Sequence, residues 1–209
     1  MQRPPKVPDE DARLKALHAM RLLDTPAEKR FDWLVEYAAR ELRMPMSLIS
    51  LVDGHRQWFK ARVGLDVSET ACDVAFCAHA IASDEIFIVE DATRDPRFAD
   101  NPLVTGEPRI RFYAGAPLKS PDGHRIGTIC VLDTQPRRLE PQELAILDAL
   151  RAVFNADVRM KRGRLGSGQE QGRAADRRRA AAHAGCARDQ EAGVSSAGAD
   201  GTAGTSAAA

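Results

Sequence analysis

The 209 residues contain no CxxC pair, no G-x-S-x-G elbow, no phosphate-binding loop and no dinucleotide fingerprint. The commonest local signatures of zinc-ribbon, hydrolase, nucleoside-triphosphatase and dehydrogenase chemistry are therefore missing. The five histidines, His18, His55, His79, His124 and His183, are scattered without the spacing of metal ligands. No signal peptide and no long apolar run occur, so no membrane span is expected. Charge of either sign is not in excess: thirty basic residues balance thirty acidic ones. Nothing global points to nucleic acid or to an anionic membrane. Four isolated cysteines, Cys72, Cys77, Cys130 and Cys186, suit a reduced cytoplasmic setting. What is present is enough apolar material for a real core, 44% of the chain.

The most informative stretch runs from Arg111 to Asp133. Phe112, Ala114, Ala116 and Leu118 alternate on one side of a first arm, and Ile126, Thr128, Cys130 and Leu132 on one side of a second. Tyr113, Gly115, Pro117, Ile129 and Val131 are left for the opposite side. Ser120-Pro121-Asp122-Gly123 joins the arms with turn chemistry: Pro presets φ, Asp bonds its own backbone and Gly accepts a left-handed conformation. With apolar residues on both sides, this predicts a central hairpin covered on both faces.

Upstream, residues 1–8 carry three prolines and read as an unstructured lead. Asp9 to Leu23 suits a short amphipathic helix. A second helix is expected from about Pro26 to Leu42, opened by a capping box of Thr25 and Glu28 and carrying Phe31, Leu34, Val35, Ala38 and Leu42 at helical spacing. Met46–Asp53 and Gln57–Val63 predict an antiparallel pair, in which Trp58, Lys60 and Arg62 oppose Phe59, Ala61 and Val63, with Lys60 and Arg62 turned to water. Val74–Ser83 reads as a short helix, Ile86–Val89 as a strand, and Asp91–Pro108 as a long turn-rich loop of the kind that is often functional.

A last helix, from Glu140 to about Arg162, has two apolar stripes. Leu144, Leu147, Leu150, Phe154 and Val158 form one; Ile146, Val153 and Met160 form the other, which either widens the core face or meets a twin helix. Residues 163–209 are dominated by Ala, Gly, Arg and Ser, with Leu165 and Val194 as the only large aliphatics. They read as an unstructured low-complexity tail, or as the remnant of a truncated or frame-shifted gene. The organisation is thus a lead over 1–8, one domain over 9–162 and a tail over 163–209.

In this order of elements, LLDTP at 22–26, ISLVD at 49–53 with QWFK at 57–60, FCAHAI at 76–81, DATRDPRF at 91–98, FYAGAPL at 112–118 and GTICVLD at 127–133 resemble a GAF domain. The resemblance spans about Arg13 to Arg162. It implies an α+β fold with a central antiparallel sheet of five to six strands, terminal helices on one face and short helices and loops on the other. It further implies a non-catalytic sensory or regulatory module that binds a small molecule on the loop side. Such modules often dimerise through their terminal helices and pass the change to an output domain such as a cyclase or kinase, in the same chain or in trans. The candidate pocket residues are Phe76, Cys77, His79, Asp91, Asp95, Arg97, Arg111 and Tyr113.

The family's ligand markers are not met. The cyclic-nucleotide pattern has no match, since Asn101 is followed by Pro102. Bilin attachment uses a Cys directly before a His, whereas Ala78 separates Cys77 from His79. Haem or iron through His79 stands against a hydrogen-bonded core histidine, the commoner role of a lone His on an apolar helix. Asp91, Asp95 and Arg97 either close their loop by bonding one another and the backbone or, with Arg97 or Arg111 as an anion fork, hold a ligand. The alternative is a thiol-dependent enzyme: free methionine sulfoxide reductases share the fold and use three cysteines, a role open to Cys72, Cys77 and Cys130 if one is an exposed thiolate.

Overall fold

In the computed structural model, which describes residues 1–5 and 7–161, every residue of strand β1, Met46–Val52, is buried. Only a strand covered on both faces can carry seven buried residues in succession. β1 lies inside a six-stranded antiparallel sheet with β2 (Arg56–Val63), β3 (Glu69–Ala71), β4 (Phe87–Val89), β5 (Phe112–Lys119) and β6 (Arg125–Asp133), in the order β3-β2-β1-β6-β5-β4. The predicted hairpin is β5 and β6. Its turn closes through Gly123 N donating to Ser120 O and Ser120 N donating to His124 O, each at 2.9 Å. Gly123 takes the left-handed φ of 89° that the turn requires.

The register corrects the expected sharing of faces across this hairpin. Ala114 lies opposite Val131 and Gly115 opposite Cys130. Directly opposed residues project to the same side, so Phe112, Ala114, Ala116 and Leu118 share a face with Ile129 and Val131 instead of with Thr128 and Cys130. The loop length sets this phase, and alternation within each arm does not reveal it.

That face is covered by helices α1 (Glu10–Ala19), α2 (Lys29–Glu41) and α5 (141–161). Phe31, Leu34, Val35 and Ala38 of α2 and Leu147, Leu150, Phe154 and Val158 of α5 pack on Ile49, Leu51 and the β5–β6 set. Each fully buried Leu or Phe contributes about 1.5–3 kcal/mol. The two helices also meet each other: the rings of Phe31 and Phe154 are 5.3 Å apart, and Arg30 bonds Asp157. Of the second stripe on α5, Ile146 packs partly against this core, whereas Val153 and Met160 are exposed.

Two expectations for this region fail together. Helix α2 starts at Lys29, with Glu28 as its cap residue and no capping side chain. Thr25 Oγ1 instead donates to Leu22 O and accepts from Lys60 Nζ, each at 2.6 Å. Lys60 does not face water, because Ile49 pairs with Ala61 and Ser50 with Phe59, leaving Lys60 as the extra residue of a β-bulge. The bulge resets the alternation, so Trp58 and Ala61 both join the helical side and Lys60 is buried beneath the start of α2.

The other face carries a second core under the 3-10 turn Cys72–Val74, the short helices α3 (Phe76–Ala80) and α4 (Pro102–Thr105), and the loop around them. Residues 72–80 are thus two short helical pieces where one helix over 74–83 is predicted. The loop at 91–108 contains α4, capped by Asn101 Oδ1, which accepts from Leu103 N at 2.9 Å. Gln2 N of the lead donates to Arg97 O at 3.1 Å on this side. The 163–209 segment lies outside the described residues.

Candidate functional site

The second core is not filled solid. A cavity of about 60 Å³ opens beneath the sheet, walled among others by Leu48 and Phe59 from the strands, Phe76 and Cys77 from α3, and Tyr113 from β5. Gln57, at the start of β2, completes the wall. It is 5% exposed, its Nε2 lies 3.5 Å from Thr70 Oγ1, and its Oε1 has no hydrogen-bond partner. An unpaired buried acceptor is unfavourable by about 1–3 kcal/mol, so it marks a place where a donor is wanted.

Tyr113 is held against this wall by small neighbours. A Cβ on Gly115 would stand 2.1 Å from the Tyr113 hydroxyl oxygen, so only glycine leaves the ring its place. The ring stacks at 5.3 Å on Phe76, which stacks in turn at 4.1 Å on Phe98. Tyr113 Oη donates to Cys77 Sγ at 3.3 Å and approaches Thr128 Oγ1 at 3.4 Å. Burial, then the neighbouring thiols Cys77 and Cys130, push the phenol well above its ordinary value, so it stays a neutral donor.

Of the eight predicted pocket residues, the fold brings Phe76, Cys77 and Tyr113 to the cavity wall. The other five do structural work around it. Asp91 accepts from Thr93 N and Oγ1, and Asp95 accepts from Arg97 N, Nε and Nη2. Hydrogen bonding from Thr93 lowers the Asp91 carboxyl, and hydrogen bonding from Arg97 lowers that of Asp95. The Arg97 guanidinium lies over Phe87 at 4.7 Å, so its charge and its face are both engaged. Arg111 Nη1 donates to Val104 O at 2.8 Å and to Ile110 O at 3.1 Å. These four residues tie the loop shut, the commoner of the two expected roles.

His79 lies off the cavity, edge-on to Phe98 at 4.8 Å and 8% exposed. Burial, followed by the charge of Arg97, lowers its pKa, outweighing a backbone bond to Gln2 and the charge of Asp95. It is a neutral core histidine. Among the described residues no group of three or more His, Cys, Asp or Glu side chains could hold a metal ion.

The cysteine trio is divided. Cys77 and Cys130 bring their sulfurs to 3.8 Å, whereas Cys72 Sγ donates to Asp53 O at 3.4 Å and burial pushes its thiol up to about 11. Two contributors to the site escaped the sequence reading. Asn101, 1% exposed, caps α4 and donates from Nδ2 to Val74 O at 3.0 Å, joining the long loop to the base of α3; the Asn-Pro step, cap then first helical residue, is its signal. Gln57 carried no local signal.

A family profile described as GAF domain matches residues 26–155. The chain belongs to the GAF domain family. This GAF domain is 42% identical over 159 residues to a protein of Pseudomonas aeruginosa named Cyclic di-GMP phosphodiesterase PA2567, covering 76% of this chain and 27% of that one. The chain therefore spans about a quarter of that relative's length. In fold it is similar to the GAF domain from an Acinetobacter phosphoenolpyruvate-protein phosphotransferase, with a TM-score of 0.55 at 20% identity over 73% of this chain and 96% of that one. It is likewise similar to free methionine-R-sulfoxide reductase from Neisseria meningitidis, solved with its substrate, with a TM-score of 0.53 at 14% identity over 77% and 98% of the two chains. Both likenesses bear on fold alone. Membership of the GAF family supports a sensory or regulatory role, and no described helix of this domain is long and apolar enough to cross a membrane.

Proposed function

We propose that this GAF domain is a non-catalytic sensory module that binds a small, largely apolar molecule in the cavity beneath its sheet. The observation that carries the reading is the unpaired amide oxygen of Gln57, a residue in the wall of that mostly apolar cavity. A ligand bearing one N–H or O–H would satisfy it, and desolvated apolar surface would supply the remaining affinity. Size limits the guest. About 60 Å³ accommodates a few atoms the size of water oxygens and is far below the needs of a cyclic dinucleotide. If the domain serves cyclic di-GMP turnover, as its relative's name suggests, it does so by regulating an output unit, in the same polypeptide or in trans, and not by binding that nucleotide here.

Signal transfer requires the ligand to bind two helical arrangements with different affinity. The exposed Val153 and Met160 on α5, with the exposed Trp33 on α2, supply an apolar surface for pairing with a second copy. A cytoplasmic homodimer is the assembly this reading needs. The thiol-reductase reading ranks lower, because Cys77 is reached only through a cavity of about 60 Å³, too small for free methionine sulfoxide, Cys130 is buried, and Cys72 is held as a neutral thiol. Native mass spectrometry of protein purified from its own host tests the proposal. A dimer carrying a small bound molecule is the expected result; a ligand-free monomer at high concentration would overturn it.

A further inference from the structure

Five polar side chains meet inside the apolar layer between the sheet and α3: Ser50, Cys77, Tyr113, Thr128 and Cys130. All are at most 2% exposed. A polar cluster costs stability in such a place unless its members satisfy one another, and here they converge on one atom, the sulfur of Cys77. Cys130 Sγ lies at 3.8 Å, Tyr113 Oη donates at 3.3 Å, and Ser50, without a well-formed hydrogen bond of its own, sits beside them. Cys77 also lines the cavity, whereas Cys130 stands behind it on β6.

We propose that Cys77 and Cys130 form a modification site, a dithiol that a hydroperoxide oxidises to a disulfide through the cavity. Hydrogen peroxide has two heavy atoms and fits a space of about 60 Å³. Bulkier oxidants such as glutathione disulfide do not. The Cys77 sulfur attacks one peroxide oxygen and the O–O bond breaks. The leaving hydroxide takes the proton that Cys77 has lost, giving water and a sulfenic acid. Cys130 sulfur then attacks the Cys77 sulfur, the S–O bond breaks, and the departing hydroxide takes the Cys130 proton as a second water. Two thiols are oxidised by two electrons and one peroxide is reduced to two waters.

The order of attack follows from the surroundings of each sulfur. Burial opposes ionisation of Cys77, but hydrogen bonding from Cys130 and Tyr113, with the hydroxyls of Ser50 and Thr128 close by, favours the thiolate and lowers its pKa. Burial, and then its bond to Cys77, holds Cys130 well above its ordinary value. Because Cys77 lines the cavity and Cys130 stands behind it, Cys77 is the attacking sulfur and Cys130 the resolving one. Closing the sulfur gap from 3.8 Å to a bonded length of about 2.0 Å draws α3 toward β6 and shifts the Cys77 sulfur against Tyr113 Oη, which alters the cavity wall. The inference stands apart from ligand sensing and does not require it.

The test uses the full chain with Cys72→Ser and Cys186→Ser, which leaves two thiols. Folded protein is treated with hydrogen peroxide, digested and mapped by mass spectrometry. The expected product is a single disulfide joining the Cys77 and Cys130 peptides, a mass loss of two hydrogens reversed by dithiothreitol. Glutathione disulfide should oxidise the folded protein at least about tenfold more slowly than the unfolded one. Retention of both thiols, or sulfinic or sulfonic acid on Cys77 beside an intact Cys130 thiol, would overturn the proposal. The unsubstituted protein treated in the same way gives the same reading should the double variant fold poorly, since a disulfide to Cys72 would then count against it.

Discussion

The ammonium of Lys60 lies 2.8 Å from Glu28 Oε1, with the lysine side chain entirely enclosed and the glutamate about one-third exposed. Lys60 also donates to Pro26 O at 2.9 Å, so one bulged residue of β2 fastens the whole entry to α2. Replacing the lysine leaves three acceptors without their donor. Lys60→Ala should destabilise the domain by about 3 kcal/mol and Glu28→Gln by roughly 1 kcal/mol, the smaller value reflecting solvent at the glutamate. Chemical denaturation of the two variants checks the ranking.

Acid should weaken the same clamp. Burial raises the Glu28 carboxyl, but hydrogen bonds and charges from Lys60 and Arg30 outweigh it, and the pKa falls below 4.5. A depressed folded pKa means stability that is complete above the unfolded value and is lost as pH drops through the folded one. His79 behaves likewise at higher pH: its folded pKa lies below 6.5, so stability should fall as pH decreases from 6.5 toward the folded value. A pH series of unfolding free energies should show that slope in the parent protein and a flatter one in His79→Gln.

Glycine substitutions separate the sheet from the cavity. A Cβ at Gly127 would stand 1.9 Å from Ser50 O, a backbone atom in the central β1–β6 pair, whereas one at Gly115 meets the movable Tyr113 ring. Gly127→Ala should destabilise by about 3 kcal/mol or more, seen as a lowered denaturation midpoint. Gly115→Ala should cost less stability and displace Tyr113, read from the tyrosine ring signals by NMR.

Gln57→Leu removes the unpaired acceptor without opening a hole. The free domain should gain about 1 kcal/mol, and retention of the co-purified guest should fall roughly tenfold. A thermal melt and native mass spectrometry of the same preparation read the two effects. Unchanged retention would remove Gln57 from the binding site.

Val153→Glu with Met160→Glu should give monomers in light scattering while unfolding within about 0.5 kcal/mol of the parent, because both positions are exposed on α5. A dimer that survives this pair of changes must use another surface.

The sheet and its helical cover were legible in the sequence because their residues repeat at strand and helix periods: β5, β6, the Phe31–Ala38 face of α2 and the Leu147–Val158 stripe of α5 all lie within the expected segments. What periodicity cannot express is a shift of phase. The bulge at Lys60 and the loop-set register of the β5–β6 hairpin both depend on a partner strand. The site was half legible for a related reason. Phe76, Cys77 and Tyr113 sit in apolar runs that had to face something, but Gln57 and the proximity of Cys77 to Cys130, 53 residues away, are properties of the folded chain. Of the charged loop residues, Asp95 and Arg97 bond each other, whereas Asp91 bonds Thr93 and Arg111 bonds the Val104 and Ile110 carbonyls, pairings that depend on how the loop folds.

The clasp of Arg30 on Asp157 joins groups 127 positions apart. A ribosome adding about 5–20 residues per second needs roughly 6 to 25 s between the two. Until Asp157 emerges, whatever part of the sheet has formed has one greasy flank only half roofed, an opening for chaperones and for neighbouring chains on the same message. Truncation ahead of the last helix would make that interval permanent, and such fragments should accumulate as aggregates instead of as smaller sensors.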